Sequence, residues 1–217
     1  MIQICLIRHG ETEWNRLGMT QGASDIPLND EGRRQARTTG NSLAAIRWDA
    51  IYASPLDRAM ETAAIICDQL GENPDQIIPD PDLVERNYGA AEGLSVEQRK
   101  SAFGDSSAIP DAEPWDSVRK RGAAAMDRIL RNHPEQRVLV VAHGGLIRSI
   151  LTALIDDGGF YRPGGLKNAG ATLVSTDNKG RWQTLWYNLD GEELAEQLTY
   201  KKMGKEKREP LSLHRDS

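Results

Sequence analysis

The chain has 217 residues, of which 39% are hydrophobic and 27% are charged, and its formal net charge is -5. These values fit one globular domain with a substantial core. The negative charge argues against a broad nucleic-acid surface but leaves room for a small anionic substrate held by a few arginines. No apolar run reaches the ~18 residues of a membrane span, and the N-terminal run lacks the features of a signal peptide.

The first third of the chain predicts strands and helices in alternation. Apolar residues 2–7 predict a buried strand, residues 31–46 predict a helix, and residues 49–53 predict a second strand. Ser54 is expected to cap the next helix, which ends at Gly71. The first elements therefore have the order of a βαβα unit.

The rest of the chain repeats this alternation after a weak stretch at 86–114. The predicted elements are a short strand at 77–78, helices at 95–102, 115–131 and 146–155, and strands at 138–142, 171–176 and 182–187. Alternation of this kind predicts an α/β fold, a three-layer α/β/α sandwich with a mostly parallel central sheet. Residues 1–200 are expected to form one domain, and the basic tail 201–217 is expected to be mobile.

Two features bear on location and assembly. Cys5 and Cys67 each lie in an apolar run, which favours two buried thiols in a reducing compartment and hence a cytoplasmic protein. The aromatic hairpin around Trp182, Trp186 and Tyr187 fits either a core or an interface. Oligomeric state, a homodimer included, is therefore left open by the sequence.

Two histidines occupy equivalent places in the pattern. His9 follows the first apolar strand and His143 follows the strand at 138–142, and each is followed directly by glycine. Ligands of an open α/β sheet bind outside the carboxyl ends of its strands, so both side chains are expected in one crevice if the two strands are neighbours. Gly144 lets backbone approach a ligand closely, and the helix behind it directs free N–H groups at an anion.

Other roles for these histidines have to be weighed. A single histidine at a strand end more often has a capping or packing role, but two copies of the arrangement favour function. A metal site is the second alternative, since histidine is a common ligand. Arg8 stands next to His9, and its charge would repel a cation.

Basic neighbours suit phosphoryl transfer, in which stabilising charge on the equatorial oxygens is most of the catalysis. Arg58 lies in the first turn of the helix after Ser54 and is expected to point into the crevice, although an exposed helix arginine is the common case. Glu85 is a candidate to protonate a leaving oxygen and activate water, with a solvated loop carboxylate as the alternative.

With these residues assembled, the sequence resembles the histidine phosphatase superfamily, which includes the cofactor-dependent phosphoglycerate mutases. The resemblance covers roughly residues 1–176. It is carried by the segments Leu6-Ile7-Arg8-His9-Gly10-Glu11-Thr12-Glu13-Trp14-Asn15, Ser54-Pro55-Leu56-Asp57-Arg58-Ala59, Glu85-Arg86 with Tyr88-Gly89, and Val140-Val141-Ala142-His143-Gly144-Gly145. The set is highly specific, whereas any one segment except the first would be weak.

The resemblance implies a role for each matching position, without metal or cofactor. His9 would be the phosphorylated nucleophile and Glu85 the proton donor. The phosphate pocket would be formed by Arg8, Arg58 and His143, with Asn15 adding a side-chain contact, Gln21 and Gly22 near the substrate, and Gly144 offering its N–H.

Two departures bear on the reaction. The stretch 86–142 is shorter than in the mutases, and the basic run Arg119-Lys120-Arg121 is expected to be a solvated helix face. Glu113 matches the carboxylate of a Gly-Glu-Ser-like turn only in part, because Pro114 replaces the serine. We therefore favour a phosphatase acting on a small phosphorylated metabolite. A mutase is the runner-up, and a binding module without turnover is a third hypothesis.

Specificity is expected to depend on residues 86–115 and 156–167, where Arg162 is interpreted as solvated.

Overall fold

The structure, a computed structural model, describes residues 1–104, 109–155, 165–176 and 181–202. Six strands and seven α-helices occupy these ranges. The strands are β1 Gln3–Arg8, β2 Ala50–Ala53, β3 Ile78–Pro79, β4 Arg137–Ala142, β5 Ala171–Thr176 and β6 Trp182–Leu189. The helices are α1 Glu13–Arg16, α2 Asp30–Leu43, α3 Asp57–Leu70, α4 Val96–Phe103, α5 Trp115–Asn132, α6 Gly144–Leu154 and α7 Gly191–Lys202.

The strands form one mixed sheet in the order β3-β2-β4-β1-β5-β6. Strand β4 pairs in parallel with both β1 and β2, and β2 pairs in parallel with β3. The hairpin of β5 and β6 adds antiparallel members beside β1. The predicted mostly parallel sheet with an antiparallel hairpin is confirmed.

Helices cover both faces of the sheet. Alternate residues of β1 point to opposite sides, as the period of a strand requires. Ile4 and Leu6 pack in the cluster formed with α5 and α6. Cys5 and Ile7 pack in the cluster formed with α2, α3 and α7. The architecture is the predicted three-layer sandwich, and Cys5 and Cys67 are both buried free thiols.

Helix α3 begins later than predicted, and Ser54 does not cap it. Leu56 is the capping position and makes no side-chain cap bond. The carboxylate of Asp25 accepts the N–H of Asp57 at 3.0 Å, so a distant residue caps the helix. The hydroxyl of Ser54 lies 2.8 Å from Nε2 of His143, and this hydrogen bond orients the histidine ring.

Helix α7 was not predicted. Its start carries a reciprocal pair of bonds, in which the Glu193 N–H donates to the Asp190 side chain and the Asp190 N–H to the Glu193 side chain, each at 3.0 Å. Leu194 and Leu198, four residues apart, pack against the cluster of α2 and α3. Residues 203–217, the turn 177–180 and the loop with Arg162 lie outside the described residues, so the expectations for them stay predictions.

Within the described ranges, none of the helices combines the length and the apolar character needed to cross a membrane.

Candidate active site

The carboxyl ends of β1 and β4 bring the two histidines together, as the sequence predicted. Arg8 is paired with Ala142 across the sheet, and the N–H of His9 donates to the Ala142 carbonyl at 2.9 Å. The ring centroids of His9 and His143 are 5.1 Å apart. The two strand-His-Gly segments therefore contribute their histidines to one site.

The ring of His9 has a defined tautomer. Nδ1 lies 2.7 Å from the carbonyl oxygen of Gly10, and because a carbonyl only accepts, Nδ1 carries the hydrogen. In the neutral ring, Nε2 is then an unprotonated nitrogen with a free lone pair. Burial, with Arg8 and Arg58 adding to it, holds the pKa of His9 well below its usual 6.5. The nitrogen is thus available as a nucleophile at neutral pH.

Gly10 is required for this placement. A Cβ at position 10 would lie 2.4 Å from the carbonyl oxygen of Gly32, which no side chain can accommodate. The N–H of Gly10 also donates to the Thr62 hydroxyl at 3.0 Å. Backbone on both sides of the turn is therefore fixed, and the ring of His9 with it.

Arg58 is fully buried in the first turn of α3 and is not a surface arginine. It donates to the carbonyls of Gly22 at 2.7 Å and Ser24 at 2.9 Å. Burial lowers the pKa of Arg58 to about 10, which still leaves it charged at neutral pH. Two carbonyl acceptors therefore set the direction of a buried cation behind His9.

Gly22 supports Arg58 from behind. A Cβ at position 22 would lie 2.3 Å from Oε1 of Glu92 and 2.5 Å from the Arg86 carbonyl. Gly22 is not among the residues that line the cleft in front of His9. Direct contact of Gly22 with substrate stays a prediction, since its observed contact is with the arginine.

Asn15 and Gln21 both line that cleft and are joined to each other. Nδ2 of Asn15 donates to Oε1 of Gln21 at 3.2 Å, and the Thr12 hydroxyl donates to the same oxygen at 2.7 Å. Oδ1 of Asn15 in turn accepts from Asn168 at 3.0 Å. These side chains form one polar side of the cleft, and the hydrogen bonds between them fix the orientation of each amide.

Glu85 is buried, so the interpretation of a solvated loop carboxylate is wrong. Its two oxygens accept the N–H groups of Arg86 at 2.9 Å, Gly145 at 2.8 Å and Leu146 at 3.0 Å. The start of α6 was expected to offer free N–H groups to a ligand. Two of those groups donate to the oxygens of Glu85 instead, in the place where a ligand was expected.

Four buried nitrogens around His9 have no hydrogen-bond partner within the described part of the chain. They are Arg8 Nε, Arg58 Nε, His143 Nδ1 and Gln21 Nε2. Buried polar groups in folded proteins are almost always paired, so a group of unpaired donors at one place indicates a binding site. The cleft in front of His9 has a volume of about 400 Å³ and is lined by Arg8, His9, Gln21, Glu85 and Gly144 among others, whereas Arg58 and His143 are fully buried and are not among its lining residues. Cationic and potential donor groups in such a space suit an anion.

The basic run on α5 was only partly predicted. Arg119 is exposed and pairs with Asp116, as a solvated face requires. Arg121 is only 14% exposed and donates to the carbonyls of Asp82 at 2.9 Å and Val84 at 2.6 Å. Its Nε and Nη2 bind both oxygens of Glu113 at 2.8 and 2.9 Å. Arg121 thus fixes the segment that leads into Glu85.

Replacing Arg121 with methionine is expected to lower the free energy of unfolding by about 3 kcal/mol, because it strands the half-buried Glu113 carboxylate and two carbonyls. Arg119→Met on the same helix removes an exposed pair and is expected to cost under about 1 kcal/mol. Urea unfolding of the two variants measures the difference. Equal losses in the free energy of unfolding for the two variants would show that Arg121 does not stabilise the segment that leads into Glu85.

Acid is expected to destabilise the fold through two histidines. Burial first, and then the nearby arginines, hold the pKa of His143 well below 6.5, as they do for His9. The unfolded chain binds protons near pH 6.5 and the folded chain does not, so stability is complete above that pH and is lost below it. The free energy of unfolding is therefore expected to fall between pH 8 and pH 5, with both histidines contributing to the loss.

Urea unfolding at several pH values measures this loss. A His9→Asn variant is expected to show a smaller pH-dependent loss than the wild type, because one of the two buried histidines is gone. Stability that stays constant down to pH 5 in the wild type would contradict the account.

Several site residues were missed as such. Thr62 accepts from Gly10 and donates to the Arg58 carbonyl at 2.7 Å, and its spacing of four from Arg58 was the available signal. Ser54 orients His143. Arg99 and Trp115 also line the cleft, within the stretch 86–115 on which specificity was expected to depend. Arg148 lines it too, and neither its spacing nor its neighbours indicated this.

Within the described residues, no three His, Cys, Asp or Glu side chains are grouped so that they could hold a metal ion.

Comparison with known proteins agrees with this geometry. The model of the histidine phosphatase superfamily, branch 1, matches residues 4–190. The chain is 36% identical over 190 residues to a protein of Bacillus subtilis named uncharacterized phosphatase PhoE, covering 88% of this chain and 96% of that one. It is 33% identical over 171 residues to the 2,3-bisphosphoglycerate-dependent phosphoglycerate mutase of Bartonella henselae, covering 70% and 80%.

Among solved structures, YhfR of Bacillus stearothermophilus superposes with a TM-score of 0.77 at 27% identity, covering 87% of this chain and 97% of that one. The chain belongs to the histidine phosphatase superfamily.

Proposed function

We propose that the protein is a phosphatase that hydrolyses a small phosphorylated metabolite through a phosphohistidine on His9. The observation that carries the proposal is the bond from Nδ1 of His9 to the Gly10 carbonyl, which leaves Nε2 unprotonated, together with the unpaired buried nitrogens of Arg8, Arg58 and His143. A nitrogen lone pair and convergent cations are what phosphoryl transfer to a histidine needs.

In the first step, Nε2 of His9 attacks phosphorus and a P–N bond forms. The P–O bond to the alcohol breaks, and Glu85 in its protonated form gives a proton to the leaving oxygen. Arg8, Arg58 and His143 bind the three remaining oxygens. Their positions are fixed beforehand by backbone carbonyls and by Ser54, so little reorganisation is needed.

In the second step, water attacks the phosphohistidine. The Glu85 carboxylate takes the proton from this water, the P–N bond breaks, and phosphate leaves with His9 restored. Glu85 can serve both steps because a hydrogen bond from the start of α6, which begins directly after His143, holds its carboxyl group in place.

Mutase chemistry is the second candidate, and the similarity to a phosphoglycerate mutase favours it. A mutase must keep water from the phosphohistidine and return the group to the same carbon skeleton. The short stretch 86–142 favours hydrolysis, since it lacks the insertion that carries the substrate grip of the mutases.

A screen of phosphorylated metabolites for phosphate release tests the proposal, with an assay of phosphoglycerate interconversion primed by a bisphosphate alongside it. We expect phosphate release, inhibition by vanadate, and no loss on treatment with EDTA, because we propose metal-independent chemistry. Interconversion without phosphate release would replace the phosphatase with a mutase. Absence of both would end the proposal.

We also propose a cytoplasmic location, supported by the two buried free thiols, which a reducing compartment preserves.

A further inference from the structure

One short turn of the chain supplies both carbonyl acceptors of Arg58. The carbonyl of Gly22 accepts from Nη2 at 2.7 Å, and that of Ser24 accepts from Nη1 at 2.9 Å. The carboxylate of Asp25, the next residue, lies 3.6 Å from Nη1. Within the described residues, Nε of Arg58 has no hydrogen-bond partner. The direction of the guanidinium group therefore depends on where the turn at 22–25 lies.

The carboxylate of Glu92 binds this turn. Its Oε1 accepts the N–H of Ala23 at 2.8 Å, and its Oε2 accepts the N–H of Ser24 at 2.8 Å and the Ser24 hydroxyl. Oε1 also accepts the N–H of Tyr88 at 3.1 Å, in the segment that follows Glu85. One carboxylate thus joins two segments of the site.

The contacts of Glu92 indicate a positional role. A Cβ at position 22 would lie 2.3 Å from its Oε1, so the turn and the carboxylate are in close contact. In the ranges that the structure describes, this carboxylate forms no ion pair, and its hydrogen bonds come from neutral groups. Glu92 is partly buried and is not among the residues that line the cleft. It can therefore act on the reaction only through the segments that it holds.

The negative charge of Glu92 also supports Arg58. Burial lowers the pKa of Arg58 to about 10, and the carboxylates of Glu85, Asp25 and Glu92 each act against that shift. A cation stabilises a transferring phosphoryl group when it is charged and already points at the developing charge. Glu92 contributes to both conditions.

We propose that Glu92 is a positioning residue for phosphoryl transfer, which sets the direction of Arg58 through the carbonyls of Gly22 and Ser24. The inference rests on the proposed function, in which Arg58 binds an oxygen of the phosphoryl group. Loss of one preorganised donor from such a site commonly lowers kcat by about 10²- to 10³-fold. A residue that directs the donor without being one is expected to account for part of that factor.

A double-mutant cycle between Glu92 and Arg58 separates this role from a general effect on the fold. Glu92→Ala is expected to lower kcat for an aryl phosphate about 30-fold and to change KM less than about threefold, because the cation acts mainly on the transition state. Glu92→Gln keeps one accepting oxygen and is expected to lose only about fivefold. In an Arg58→Gln background, Glu92→Ala is expected to cost less than about threefold, since the group that it directs is gone.

Glu61→Gln is the matched control. Glu61 lies on α3 with Arg58 and is similarly half-buried, but it binds Arg33 at 2.6 Å and does not line the cleft. Its replacement is expected to leave kcat within about twofold of the wild type. Urea unfolding shows which variants fold. Where one does not, Glu92→Gln or Arg58→Lys takes its place in the cycle.

Vanadate binding keeps the test independent of turnover. Vanadate can adopt the five-coordinate geometry of the reacting phosphorus, so calorimetry is expected to show about 30-fold weaker binding to Glu92→Ala, and little further loss from this change in the Arg58→Gln background.

Equal losses from Glu92→Ala in the two backgrounds, or a Glu92→Ala protein that matches the wild type in kcat and in vanadate affinity, would overturn the inference. Phosphate release by the wild type together with equal losses would overturn the role of Glu92 alone. Coupled losses in vanadate affinity, without phosphate release from any substrate, would end the proposed phosphatase and leave the role of Glu92 standing.

Discussion

Replacing His9 with asparagine is expected to reduce phosphate release by more than about 10³-fold, because the step that forms the phosphoenzyme loses its nucleophile. The asparagine amide can still donate to the Gly10 carbonyl, as Nδ1 of the histidine does at 2.7 Å. The substitution thus removes Nε2 while keeping the local bond. Initial rates with an aryl phosphate, compared with the wild type, measure the loss.

A matched histidine serves as the control. His133 hydrogen-bonds to the Tyr52 hydroxyl at 2.9 Å and does not line the cleft in front of His9. His133→Asn is expected to keep activity within about twofold of the wild type. Circular dichroism and urea unfolding confirm that both variants fold. A His9→Asn enzyme that retained a tenth of the wild-type rate would remove His9 from the mechanism.

Replacing Glu85 with glutamine is expected to lower kcat by about 10²- to 10⁴-fold for alkyl phosphates, which need a proton on the leaving oxygen. An aryl phosphate with a good leaving group needs little such help in the first step. The phosphoenzyme should therefore still form from it, and should accumulate because water attack has lost its base. Rapid-quench experiments with both kinds of substrate measure these two effects.

This pattern separates chemistry from structure. Glutamine also loses one of the two bonds from Gly145 and Leu146, which donate to different oxygens of Glu85, since the amide N that replaces one oxygen cannot accept. Damage of that kind would slow phosphoenzyme formation from both substrates alike, without accumulation. Equal slowing of alkyl and aryl phosphates would assign Glu85 a purely structural role.

Much of the fold followed from local pattern. The runs before His9 and His143 predicted two buried strands, and their glycines predicted turns at one sheet edge. The sequence predicted one crevice for both histidines only if β1 and β4 are neighbours, because strand order and register depend on the whole sheet. The structure pairs these two strands. Once they pair, the site follows from geometry.

Other features depend on contacts that no local pattern contains. Ser54 has the chemistry of a helix cap, but His143 uses its hydroxyl and Asp25 caps the helix from 32 residues away. Arg121 looks like one member of a solvated face, and it is buried only because the segment before Glu85 packs against α5. Asp190 and Glu193, three residues apart, have the spacing of a capping box, which is a local signal for the start of α7.

Trapping the phosphoenzyme tests the central claim most directly. The wild-type protein is mixed rapidly with phosphate-labelled substrate, quenched in base, and digested to locate the label. We predict an acid-labile, base-stable label on the peptide with His9, absent from His9→Asn. Turnover with the label never on His9, or a label equally present in His9→Asn, would contradict the account.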